Sequence, residues 1–266
     1  MPLNSYQHPC PGGYQIQAAD MLIGGTLGAR VNWGDPARDV VITAGHLVNN
    51  LNAAVFQPGA GVPGENQRIG HVAGRSPLRT YPSSREFLGT RAETPGQRIT
   101  CRYDFAYIEV AGDSAATSYR IPGINDTDEP LAVRDPIEGE PVHWLGNTTG
   151  IVLGGHVRDL SYWMTMELDP TNAANRQYLS VQPLTLIEVQ GTMPTRGGDS
   201  GAAVVAVNDR HIVGVHCLGG TTRKGRPFTM ASRVPASPQA LAEGSSSAGF
   251  DEVLTWIART KAWVNS

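Results

Sequence analysis

Gly197-Gly198-Asp199-Ser200-Gly201-Ala202 runs directly into Ala203-Val204-Val205-Ala206-Val207. A glycine-dense turn holding one acid and one hydroxyl thus feeds a β-branched run. Glycine allows tight and left-handed backbone, and a short Val-rich run reads as a buried strand. A serine displayed on a turn that opens a helix would indicate an α/β sheet; here the turn opens a strand, which disfavours that fold. Working outward, further strands are predicted at 14–17, 25–31, 39–43, 53–56, 67–72 and 105–110. A second series follows at 141–146, 150–157, 184–189, 202–207 and 212–217, each bounded by turn-forming residues. Residues 1–13 read as an irregular arm, 73–97 as a long surface loop, and 235–249 as an Ala/Ser/Pro loop. The last segment changes period. Phe250, Val253, Leu254, Ile257 and Ala258 follow helical spacing, with Asp251 and Glu252 at the start, where they complement the dipole.

The expected fold is therefore all-β with one terminal helix. Its parts are an arm (1–13), a first β domain (14–115), a connection (116–130), a second β domain (131–248) and the helix (249–266). The 266 residues suffice for a core without a metal or disulfide staple, and 31 glycines with 19 prolines leave little room for long helices. With 21 Lys and Arg against 24 Asp and Glu, and no basic block, no nucleic-acid partner is expected. No apolar run is long enough to span a bilayer, so no membrane partner is expected either. The opening residues lack a basic start and an apolar core. The chain as written is expected in the cytoplasm, or outside the cell if a leader once preceded it. Three cysteines, Cys10, Cys101 and Cys217, are expected as free thiols, with a Cys10–Cys101 bridge as the alternative. No cofactor or metal is expected: His71, His143, His156 and His211 show no paired-ligand spacing, and the cysteines lie too far apart for a zinc module.

Three pieces carry chemistry. Thr43-Ala44-Gly45-His46 closes a strand, Asp104-Phe105-Ala106-Tyr107-Ile108 opens one, and Ser200 sits on the glycine turn. A serine hydroxyl is a poor nucleophile unless an imidazole takes its proton as the bond to carbon forms. A carboxylate on the other ring nitrogen fixes the tautomer and stabilises the imidazolium. A lone histidine after a strand is usually structural, and Gly-Asp-Ser-Gly alone is often only a turn. Together, in this order and 58 and 96 residues apart, they resemble the His, Asp and Ser motifs of the chymotrypsin-like serine peptidases.

That resemblance implies two six-stranded antiparallel β-barrels with a C-terminal helix, and a serine endopeptidase acting on protein or peptide substrates. His46, Asp104 and Ser200 would be its triad, and the amides of Gly198 and Ser200 its oxyanion hole. Gly146-Asn147-Thr148-Thr149-Gly150 is similar to the Gly-Arg-Thr-Thr-Gly turn of bacterial members. Residues 213–220 lie where the family's substrate-binding strand would be. The likeness covers most of 14–264; the loops at 73–97 and 158–180 are unmatched.

Departures are equally informative. Leu47 replaces the cysteine common after the histidine, and Cys217 replaces a serine that helps hold the triad aspartate. Asp199 in digestive members pairs with a freshly cut amino terminus, and in bacterial ones with an arginine. Here Trp144 stands at the arginine's place, so Arg196 and His143 are the candidate counter-charges, with a hydrogen-bonded Asp199 as the alternative. Without a counter-charge, the oxyanion loop would await substrate or an activating partner protein. The pocket-floor position of Lys/Arg-cleaving members is Pro194, which argues against that preference. Thr195 and His216 match the carboxylate-binding positions of the glutamate-specific members, and Cys217, Leu218 and Gly219 continue the substrate strand. Acidic specificity competes with a small or apolar pocket. An esterase and a regulated, non-cleaving scaffold are the alternatives from other functional classes.

Overall fold

A computed structural model describes residues 3–5, 7–21, 24–59, 67–78, 80–81, 97–110, 116–167 and 178–249, together with Ala262 and Asn265. Strand alternation builds the first sheet. Its strands are β1 (Gln15–Ala18), β2 (Gly25–Thr26), β3 (Ala29–Trp33), β4 (Arg38–Thr43), β5 (Ala54–Gln57) and β6 (Gln67–Arg75). β7 (Thr80–Tyr81) and β8 (Gln97–Cys101) leave for the other sheet, and β9 (Ala106–Val110) returns. The order is β2-β1-β5-β6-β9-β4-β3. Along β4, Val40 and Ile42 enter one apolar cluster with Trp33, Phe105 and Tyr107, while Val41 enters another with Ile69 and Ile108. This two-sided burial is the period-2 signature of a strand covered on both faces. Each such fully buried side chain contributes roughly 1.5–3 kcal/mol.

The edge strands β2 and β3 are separated only by Leu27-Gly28, so the chain itself bridges the ends and the sheet curls into a half-barrel. The single strand predicted at 25–31 is thereby broken. A Cβ on Gly28 would lie 2.5 Å from the carbonyl O of Gly201 and 2.8 Å from that of Ile42, so only glycine fits this corner.

The second sheet comprises β10 (Pro141–Leu145), β11 (Val152–Glu167), β12 (Tyr178–Val189), β13 (Ala203–Ala206), β14 (Ile212–Thr221), β15 (Pro227–Ser232) and β16 (Ser245–Gly249), with β7 and β8. Six of these, in the order β11-β10-β13-β14-β15-β12, close on themselves through β11–β12 pairing. The all-β, two-barrel expectation holds, as one closed six-stranded antiparallel barrel and one curled half-barrel with seven short strands rather than six.

Several local expectations are corrected. Much of 158–180 is not loop, because β11 and β12 extend the barrel hairpin to Glu167 and back from Tyr178. Residues 97–101, expected in the first domain, pair with β12 and β16 of the second sheet. The presumed loop at 235–249 holds a short helix, α1 (Pro238–Ala242), and β16. Ser237 caps that helix, its hydroxyl accepting from the Ala240 N–H at 3.1 Å, and Pro238 suits the first turn. The connection at 116–130 is tied down by a Cys10–Thr117 bridge and by buried Ile121 and Ile124. Most of the loop predicted at 73–97 lies outside the described residues. So does the terminal helix, apart from Ala262 and Asn265, which are helical. None of the three cysteines is in a disulfide, and all three are buried. No described helix is long and apolar enough to cross a membrane.

Candidate active site

Pairing of β4 with β9 places Thr43 opposite Ala106, so the residues just past one strand meet those just before the other. A single 3-10 turn, Gly45–Leu47, then turns His46 onto Asp104. The His46 N–H donates to Asp104 Oδ1 at 2.8 Å, and the ring Nδ1 lies 2.6 Å from Oδ2. Gly45 permits this approach, since a Cβ there would lie 2.9 Å from the Phe105 backbone and 3.1 Å from Asp104 Oδ1. Asp104 is completely buried, and its own N–H donates to Ser232 Oγ at 2.9 Å. Burial disfavours both charges, yet the opposite charge of the partner and their hydrogen bond prevail. The result is a His46 pKa above the ordinary range and an Asp104 pKa below it. With Nδ1 donating to the carboxylate, Nε2 of the neutral ring keeps its lone pair. The Cys217 thiol lies 3.9 Å from the Asp104 backbone O and 3.3 Å from that of Val215.

The serine turn is clamped against the first sheet by Thr26, which is fully buried. Its N–H donates to the Ser200 carbonyl at 2.8 Å, and its hydroxyl donates to the Gly198 carbonyl at 2.8 Å. The same hydroxyl accepts from the Asn147 N–H at 3.0 Å. Leu47, next to His46, packs on Gly201, next to Ser200: a Cβ on Gly201 would lie 3.1 Å from the Leu47 side chain. Gly198 and Gly201 both have left-handed backbone, φ +97° and +98°. With the flanking carbonyls held by Thr26, the N–H groups of Gly198 and Ser200 have no protein acceptor among the described residues. The Ser200 hydroxyl donates to the Cys217 carbonyl at 2.9 Å and is not hydrogen-bonded to His46.

Asp199 needs no counter-charge. Its Oδ1 accepts from the amides of Thr148 and Thr149 at 3.0 and 2.8 Å, and its Oδ2 from the Arg196 amide at 2.8 Å and the Thr149 hydroxyl. Gly146 makes the space, because a Cβ there would lie 2.3 Å from Oδ1. Neither the Arg196 side chain nor His143 takes part; Arg196 contributes only its backbone. Preorganised amides stabilise a buried carboxylate as a cation would.

Beyond His216, whose backbone still bonds Ala202 and Gly201, β14 pairs only with β15, so residues 217–221 carry an edge unpaired by any strand among the described residues. Leu218 and Gly219 lie on it, opposite Met230 and Thr229. Thr195 is buried and packs on Gly219, where any Cβ would overlap its hydroxyl. Half-buried Pro194 precedes it. His216 is 1 % exposed, and neither of its ring nitrogens has a partner; the Thr195 hydroxyl is likewise unpartnered. Burial, with a smaller push from His46, lowers the His216 pKa to about 4 against the opposing fields of Asp199 and Asp104. Thr26 and Ser232 were not legible as site residues: a threonine and a serine within or at the end of strands carry no motif.

No family model and no curated protein matches the sequence. Solved structures do. Chymotrypsin from Cellulomonas bogoriensis is similar at TM-score 0.51 and 20 % identity, over 90 % of this chain and 98 % of that one. Alpha-lytic protease homolog N4 is similar at 0.51 and 18 %, over 84 % and 92 %. A glutamic-acid-specific serine protease, which uses a histidine triad in substrate binding, is similar at 0.51 and 17 %, also over 84 % and 92 %. The fold is that of the bacterial chymotrypsin-like serine proteases.

Proposed function

We propose that the protein is a serine endopeptidase that cleaves peptide bonds through an acyl-enzyme on Ser200. The observation that carries this reading is the hydrogen-bonded His46–Asp104 pair held beside a serine turn whose Gly198 and Ser200 amides have no protein acceptor among the described residues. An incoming peptide adds along the open edge of β14, and its N–H takes the Cys217 carbonyl now held by Ser200 Oγ. The hydroxyl then rotates about χ1 toward His46; such bonds commonly tighten only with substrate present. Ser200 Oγ bonds to the scissile carbon as its proton passes to His46 Nε2. The two amides hold the resulting oxyanion, each contributing about 3 kcal/mol. His46 returns the proton to the leaving amine as the C–N bond breaks. Water then attacks the ester, giving its proton to His46 and releasing the acid while Ser200 is reprotonated.

An acidic side chain before the cut is the preference that the orphaned groups support. Buried donors without partners cost roughly 1–3 kcal/mol each, a cost removed by a ligand that meets them. A carboxylate beside the Thr195 hydroxyl and His216 does so, drawing a proton onto a ring that is otherwise neutral above about pH 4. The reason to invoke an activating partner falls away once Asp199 is held by Thr148, Thr149 and the Arg196 amide.

A fluorophosphonate probe tests the activity. The intact mass of the wild-type chain should rise by one phosphonyl group, and that of S200A should not; an unlabelled, folded wild type overturns the reading. A peptide panel differing only before the cut tests the preference. Equal cleavage after Glu, Ala and Leu would remove the role given to His216.

A further inference from the structure

A cavity of about 680 Å³ lies among the β3–β4 hairpin, residues 102–103, residues 132–135 and the chain leaving β15. None of the residues assigned above to substrate or catalysis lines it. Its walls carry three arginines, Arg102, Arg134 and Arg233, against one acid, Asp135. The three are not equivalent. Arg134 is saturated: it binds Asp209 at 2.8 and 3.1 Å and Glu140 at 3.1 and 2.6 Å. Arg233 donates to the Leu160 carbonyl at 2.9 Å, and its pairing with Asp135 is long, at 3.9 Å, to a carboxylate 77 % exposed. Such a pair is largely screened by water. The Arg233 Nε–H is buried with no partner. Arg102 is exposed and has no ion pair among the described residues.

The exposed Arg102 guanidinium and the terminal nitrogens of Arg233, which hold only the Leu160 carbonyl and the screened Asp135, therefore border one cavity with donors to spare. Among the remaining lining, which includes polar Asn32, Tyr103, Val133 and Val234 form an apolar wall that packs on the core behind. The volume is that of a small-molecule site, and guanidinium is the side chain whose fork matches carboxylate and phosphate oxygens. We propose that this cavity binds an amphiphilic organic anion, its carboxylate or phosphate head on Arg102 and Arg233 and its apolar body against Tyr103, Val133 and Val234. The proposal is independent of the peptidase reading, because none of the binding groups belongs to that chemistry.

Calorimetric titration of the full chain with octanoate and with octyl phosphate, each below its micellar concentration, tests it. Octanol and octylammonium serve as neutral and cationic controls. At least one of the anions should bind saturably at one site, and the tighter head group identifies the source chemistry. R102Q should weaken that binding about 10-fold, the loss expected for one charge-assisted hydrogen bond. R102K should restore part of it, and R158Q, on an exposed arginine of β11, should leave it unchanged. The proposal is overturned if neither anion saturates, if octanol binds as well as the anions, or if R102Q and R158Q behave alike.

Discussion

The carboxylate that orients His46 is hydrogen-bonded on every polar atom, whereas the turn and strands around Ser200 keep several polar groups without partners among the described residues. Asp104 has a partner on both carboxylate oxygens and on its amide. Across the cleft, the amides of Gly198 and Ser200, the Thr195 hydroxyl and both nitrogens of His216 are unmatched. Asp199 is the exception on that side, and its saturation holds the turn that presents the others. The contrast teaches that the carboxylates are fixed in advance, while, on the peptidase reading, the unmatched donors are left for substrate to satisfy. Preorganisation of that kind lowers a barrier without reorganisation during reaction.

Breaking the saturated half should have the largest effect. D104N replaces one acceptor oxygen with a donor and favours the wrong His46 tautomer, so kcat should fall about 10^4-fold with the fold intact by circular dichroism. A fall of less than 10-fold would mean that the pair does not activate Ser200. G146A comes next. Its Cβ would lie 2.3 Å from Asp199 Oδ1 and so displace the carboxylate from its amides. Stability should drop by about 1–3 kcal/mol in urea unfolding, with a loss of activity larger than the unfolded fraction explains. Unchanged activity in G146A would show that the turn does not set the oxyanion amides. T26V removes the hydroxyl that holds the Gly198 carbonyl but keeps the N–H on Ser200. It should lower kcat by about 10-fold with KM little changed, and T26S should recover most of it.

The smallest effect sharpens the comparison through its sign. His216 stays neutral in the fold down to about pH 4, while in the unfolded chain it takes a proton near its ordinary value of about 6.5. The unfolded state therefore binds more protons in that window, and stability declines as pH falls through it. His46 runs the other way: its raised pKa contributes stability at low pH that is lost as pH rises through the folded value. H216Q should flatten the acid limb of unfolding free energy against pH by about 1–3 kcal/mol. An unaltered limb would mean that the ring is not buried neutral.

What the sequence made legible follows from how local each signal is. Val40 to Thr43 and Ala203 to Ala206 could be read as strands because their neighbours in the chain carry the pattern. The extension of β11 past Val157 could not, since register shifts at Asp159 and Tyr162 break the alternation that a strand reading needs. Ser245–Gly249 has no strand propensity of its own and is a strand only because Gln97–Cys101 offers it a ladder. His46, Asp104 and Ser200 stand in recognisable motifs. Thr26 does not, because its hydroxyl acts on residues 121 and 172 positions away. The search for a cation beside Asp199 pointed to side chains when the partners were mostly main-chain amides, which every residue but proline has and no sequence displays.

Because the carboxylate next to Ser200 is caged by a turn of the same barrel, the serine turn takes its shape from contacts made within one folding unit. If the peptidase proposed above is correct, its turn needs no newly cut amino terminus to hold Asp199, and control would fall to what reaches the site.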